Sequence, residues 1–180
     1  MLPSNGIGQL RDGDILFRRG KEAVSEVVLG LDPQSAFSHV GIVVIRTGEA
    51  WVVHMVPAEA EGEDDAVKLE PVSRYLAADR STGMAVYRLH ELPDNSSASR
   101  LKIVVREALR LAQIGIPFDK AFNLDTQDRL YCTELVWQAF LKAGIDLAPN
   151  PPSKRFLLWS GRYIPPSTLQ VSPHLKRVCC

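Results

Sequence analysis

Apolar positions along the chain follow two different spacings, and the changes between them mark out the elements. Short apolar runs predict strands at Ile15 to Phe17, after the turn Asp12-Gly13-Asp14, and at His39 to Ile45, Ala50 to Val56, Ala66 to Glu70 and Met84 to Leu89. Arg46-Thr47-Gly48-Glu49 joins the second run to the third as a hairpin turn. Helical spacing holds from Glu22 to Leu29, ended by Gly30, and a short helix opens at Pro71. A longer helix carries Leu101, Val104, Val105, Ala108, Leu109 and Ala112, with N-cap candidates at Ser96 to Ser99 and a stop at Gly115. A further helix after Cys132 aligns Leu135, Val136, Ala139, Phe140 and Ala143 on one stripe and ends at Gly144. The acidic segment Glu59 to Asp65 reads as a solvated loop, and the proline-rich stretch from Pro149 to Pro166 holds only short irregular or edge elements. The order predicts an α+β fold. Strands near residues 14, 40, 52, 67 and 86 form an antiparallel, partly barrel-like sheet, with the helix after Cys132 packed against it.

Composition narrows the class. With 180 residues, 46% of them hydrophobic, the chain fits one domain over 1–180, with a core of about 12–170 and a flexible tail at 171–180. Twenty-one basic residues balance 21 acidic ones, and no block of like charge marks a nucleic-acid arm, so no nucleic-acid partner is expected. The longest apolar stretch, Val40 to Ile45, is far short of the roughly 20 residues that span a bilayer. The start MLPSNGIGQLRDGD lacks the basic and apolar segments of a signal peptide, which predicts a soluble, cytoplasmic protein unless a leader has been removed. Three cysteines, two of them the adjacent Cys179 and Cys180 at the end, make no disulfide framework. That terminal pair does not fit the four-residue lipidation box and reads as silent.

Cys132 is therefore a free thiol at the start of a helix. A thiol attacks carbonyl carbon as thiolate, and its ordinary pKa near 8.5 leaves little of that form at neutral pH. The unpaired N–H groups and partial positive charge of a first helical turn lower that value, and the same N–H groups can hold an oxyanion. Tyr131, Thr133 and Glu134 flank the thiol as oxyanion or support groups. Glu134 has to point away from the sulfur, because a facing carboxylate would raise the thiol pKa.

A base for that thiol comes from parity. If the turn at Arg46 to Glu49 has an even number of residues, opposed positions sum to an odd number, which sets His39 opposite Val56 and diagonal to His54 on one face. His39 can then take the thiol proton while His54 fixes its tautomer as an orienting third residue. His90 and His174 lack such a context.

In this order, "GDILF" (Gly13 to Phe17), "SHVGIVV" (Ser38 to Val44), "GIPFD" (Gly115 to Asp119) and "LYCTELVWQAF" (Leu130 to Phe140) resemble the permuted NlpC-type, papain-fold cysteine hydrolases of the YiiX/YebB-like group, over roughly residues 12 to 142. The histidine strand precedes the cysteine helix, as permutation implies. The resemblance implies Cys132 as nucleophile and His39 as base, with no cofactor. Many members have glutamate where this chain has His54, which looks more like the related lecithin:retinol acyltransferase group, and Phe118 stands where tyrosine is frequent. The expected activity is hydrolysis of an amide, isopeptide or ester bond in a peptide or acyl-lipid substrate through a cysteinyl thioester. Three alternatives stay open: acyl transfer or lipid hydrolysis, a non-catalytic lipid- or peptide-binding module, and a zinc site on His39, His54 and Cys132, although their spacing fits no short metal motif.

Overall fold

The computed structural model describes residues 10–57, 65–156 and 159–179; the expected acidic loop, as far as residue 64, and Cys180 lie outside them. Six strands form one antiparallel sheet: β1 (Ile15–Gly20), β2 (His39–Arg46), β3 (Glu49–Val56), β4 (Ala66–Pro71), β5 (Ser81–Leu89) and β8 (Leu175–Cys179), in the order β4-β3-β2-β1-β5-β8. β4 and β8 are its two edges, so the sheet is open and not closed into a barrel. The last strand also corrects the expectation of a flexible tail. Leu175–Cys179 pairs with β5 from Val86 to Leu89 and seats Leu175 in the core, although its short polar run carries no alternation to announce it. A separate hairpin, β6 (Ser153–Phe156) and β7 (Trp159–Arg162), occupies the proline-rich region.

Strand alternation divides the core into two layers. Ile15, Phe17, Val40, Ile42, Val53, Met55, Ala85 and Tyr87 point to one face, which is covered by α3 (Ser97–Ile114) and α4 (Cys132–Lys142) through Val104, Ala108, Leu111, Leu135, Val136, Ala139 and Phe140. Each fully buried Val, Leu, Ile, Phe or Met among them contributes about 1.5–3 kcal/mol. Leu16, Val43, Val52, Met84 and Val86 point to the other face, under Val72 and Tyr75 of the short helix α2 (Val72–Tyr75) and the adjoining Leu76. Two further helices complete the structure, α1 (Ala23–Leu31) between β1 and β2, and α5 (Pro166–Gln170) before β8.

The β2–β3 register is the one that parity predicts. Arg46 pairs with Glu49 and Gly41 with His54, so the turn proper is Thr47-Gly48. Both of its residues have positive φ, 48° and 82°, the type I′ pattern whose twist matches flanking strands. Gly41 is required by close approach: a Cβ there would stand 2.6 Å from Val52 Cγ2 and 2.9 Å from His54 Cβ.

Candidate active site

Even spacing in the hairpin puts His39 and His54 on the face that α2 covers, and the same diagonal step continues into the next strands. His54 pairs with Lys68, which makes Glu70 its diagonal neighbour on β4, and Arg18 on β1 stands directly opposite His39. Arg18, His39, His54 and Glu70 thus form a polar row across four adjacent strands. Their exposures are 0%, 6%, 0% and 8%. Polar groups so deep are costly unless partnered.

The partners are present. His39 Nε2 and His54 Nδ1 are 2.9 Å apart, and His54 Nε2 lies 3.0 Å from Glu70 Oε1. In the second contact the N–H is angled off the line to the oxygen, and among the described residues neither atom has a well-aligned hydrogen-bond partner, so none competes for the pair. Glu70 Oε2 accepts hydrogen bonds from Arg74 Nε at 3.1 Å and Arg80 Nη1 at 3.4 Å. Arg18 donates to the Tyr75 carbonyl at 2.8 Å and pairs with the Glu22 carboxylate. The Tyr75 ring closes over the row, 4.6 Å from the Arg18 guanidinium and 5.6 and 5.0 Å from the rings of His39 and His54.

These surroundings set the charges. Burial, followed by the fields of Arg18 and His54, lowers the His39 pKa well below 6.5. Burial also lowers that of His54, against the opposing pull of Glu70. For Glu70 burial acts to raise the pKa, but the hydrogen bond to His54 and the charges of His54, Arg80 and Arg18 outweigh it and hold the carboxyl below its usual range. At neutral pH the row therefore holds neutral imidazoles between one guanidinium and one carboxylate.

Cys132 opens α4 and is 4% exposed. Tyr131, at the N-cap, is extended and supplies no capping side chain, which leaves the first-turn N–H groups of the helix for the sulfur. The N–H groups of Thr133, Val40 and Cys132 itself stabilise its anion, and contact with Val40 sets the sulfur against the backbone next to His39. Burial nevertheless dominates and pushes the thiol up to about 11. The sequence suggested a depressed thiol pKa; the structure reverses this, because the helix start is dry. Cys132, His39 and Arg18 line one cavity of about 340 Å³, with apolar walls from Val24, Val28, Met55, Val56, Phe118 and Phe122, and Glu22, Ser25 and Ser38 as further polar groups.

The flanking residues serve the framework. Tyr131 Oη accepts the Ile164 N–H at 2.9 Å, and Thr133 Oγ1 donates its proton to the Ile164 carbonyl at 2.6 Å, so both side chains tie the helix start to that segment, and Thr133 approaches the sulfur through its backbone. Glu134 accepts from Gln138, one turn further along α4, at 3.1 Å, and burial raises its pKa to about 8. Sequence reasoning missed Arg18, Glu70 and Tyr75. Glu70 follows from the same parity as His54 once the β3–β4 register is known, but that register depends on a connection whose length does not reveal it.

The sequence profile of the permuted papain-like amidases, YaeF/YiiX, C92 family, matches residues 9–178. The uncharacterised protein YiiX of Escherichia coli strain K12 is 28% identical over 177 residues, spanning 92% of this chain and 80% of that protein. The crystal structure of the metalloprotein YiiX from Escherichia coli O157:H7 superposes with a TM-score of 0.72 at 22% identity, covering 95% of this chain and 97% of that one. An open antiparallel sheet, a histidine strand that precedes the cysteine helix, and a match over nearly the whole chain lead to one conclusion: this protein belongs to the C92 family of permuted papain-like amidases.

Proposed function

We propose that the protein is a thiol hydrolase that cleaves an amide, isopeptide or ester bond through a thioester on Cys132. The observation that carries this reading is the shared cavity, whose lining holds both the buried thiol and an imidazole tied back to a second imidazole. Burial lowers the His39 pKa and raises that of the thiol, which favours general-base catalysis over a preformed thiolate–imidazolium pair. His39 takes the thiol proton as Cys132 Sγ bonds to the carbonyl carbon, and the N–H groups of Cys132 and Thr133 receive the oxyanion. Collapse expels the amine or alcohol, which takes the proton back from His39. Water, deprotonated by His39, then cleaves the thioester and returns the thiol and a carboxylic acid.

A cavity of about 340 Å³ stands at the small end of the roughly 300–1,000 Å³ of ligand sites, and its walls are apolar. It suits an aminoacyl or short acyl group better than a long lipid chain. A zinc reading has less support: His39 Nε2 and His54 Nδ1 face each other instead of converging on one point, and among the described residues no group of three or more His, Cys, Asp or Glu is disposed to hold a metal.

Incubating the protein with a panel of aminoacyl and acyl p-nitrophenyl esters, with intact-mass detection, tests the reading. We expect a mass increase at Cys132 and turnover that Cys132→Ala abolishes while the fold is kept. Full turnover in Cys132→Ala would end the proposal, whereas a wild type that gives neither adduct nor turnover with any ester of the panel would favour a non-catalytic binding module.

A further inference from the structure

A chain of two histidines can carry its protons in either direction, and only one direction leaves His39 able to act as a base. In the first, His54 bears its proton on Nε2 and accepts at Nδ1 from His39 Nε2–H, so that His39 Nδ1 keeps a lone pair. In the second, His54 Nδ1–H donates to His39 Nε2, and the His39 proton sits on Nδ1, where a base is needed. The 2.9 Å contact between the rings is compatible with both. Something beyond His54 has to choose.

We infer that Glu70 is the positioning residue that sets this direction, so that Nδ1 of His39 is the base nitrogen. The inference rests on the reading of His39 as the base for Cys132. Glu70 Oε1 stands 3.0 Å from His54 Nε2, both atoms are buried, and neither has a well-aligned hydrogen-bond partner among the described residues. An ionised carboxylate only accepts. Opposite it, an unprotonated Nε2 would set lone pair against negative charge in a buried site, whereas an Nε2–H, even angled off the line, turns its positive end toward the carboxylate. Arg74 and Arg80 hold the other oxygen, which keeps the carboxylate charged and turned so that Oε1 faces the ring. With the His54 proton placed on Nε2, its Nδ1 accepts and the rest of the chain follows.

Replacing Glu70 by glutamine separates charge from shape, because an amide N–H can donate to His54 Nε2 and permit the reverse direction. Imidazole nitrogen NMR at neutral pH on wild type, Glu70→Gln and Glu70→Asp reads the tautomers without reference to turnover. Wild type and Glu70→Asp should carry protons on Nε2 of both rings, and Glu70→Gln should populate Nδ1–H. Acylation of Cys132 by p-nitrophenyl acetate should fall about 10–100-fold in Glu70→Gln, below the ~10⁴-fold that a wrong tautomer costs when the group touching the catalytic imidazole is altered, and Glu70→Asp should recover most of it. Nδ1-protonated rings in the wild type would overturn the inference, and so would unchanged tautomers in a folded Glu70→Gln. If Glu70→Gln does not fold, the wild-type spectrum alone decides. An inactive wild type with the expected tautomers would sink the hydrolase reading and leave this one standing.

Discussion

Glu134 shows most plainly how burial governs single residues here. Its carboxyl is 1% exposed in the first turn of α4, which helix electrostatics would favour as an anion, yet desolvation raises its pKa to about 8. A folded pKa above the unfolded value of about 4.3 means that the native state binds the proton more tightly, so the associated stability is complete below that value and is lost as pH rises through about 8. Glu134→Gln keeps the shape and removes the ionisation. We expect its denaturant midpoint to match wild type near pH 5 and to exceed it above pH 8; equal midpoints at both would mean that the carboxyl ionises in place at no cost. The same desolvation made the state of Cys132 illegible in the sequence: residue type and helix position are readable there, but the depth of the sulfur is a property of the packed layers.

At the scale of elements, the β2–β3 hairpin carries the site, and Gly41 lets it do so. His54 lies opposite Gly41 and reaches diagonally to His39, and an added Cβ at residue 41 would enter the space of Val52, the Val53 carbonyl and His54. Gly41→Ala should cost about 1–3 kcal/mol from overpacking. Because His54 is among the displaced groups, Cys132 acylation should fall by more than the loss of folded protein explains, and a variant with lower stability but wild-type acylation per folded molecule would refute this. This hairpin was also the most readable part of the chain, since a turn of four positions fixes parity and parity fixes the shared face of His39 and His54. β4 was readable as a strand, but the position of Glu70 was not, because the register of β4 against β3 is set by packing. Arg18 was hidden for a similar reason: β1 meets β2 only after α1 and its loops have intervened, so its place opposite His39 is a tertiary fact.

For the molecule as a whole, the two core layers divide the work. The face under α3 and α4 carries the larger apolar cluster and holds the cysteine helix; the face under α2 encloses the polar row, and the two meet at the start of β2, where the Val40 backbone approaches the sulfur and His39 begins the polar row on that strand. The α+β class and the antiparallel sheet were legible from spacing alone. The open edges and the sixth strand were not, because Leu175–Cys179 joins the sheet through main-chain pairing that a polar sequence does not signal. A neutral thiol and a neutral imidazole, both kept so by burial, give this architecture a particular pH signature. On the proposed mechanism, His39 would stop acting as base only below its lowered pKa, and the thiol would ionise by itself only near 11. The decisive measurement is the rate of Cys132 acylation by p-nitrophenyl acetate from pH 5 to 10, followed by intact mass. We expect a rate already level at pH 6.5 and still level at pH 9; a rate climbing about tenfold per pH unit across that range, as an unassisted thiol gives, would contradict general-base activation by His39.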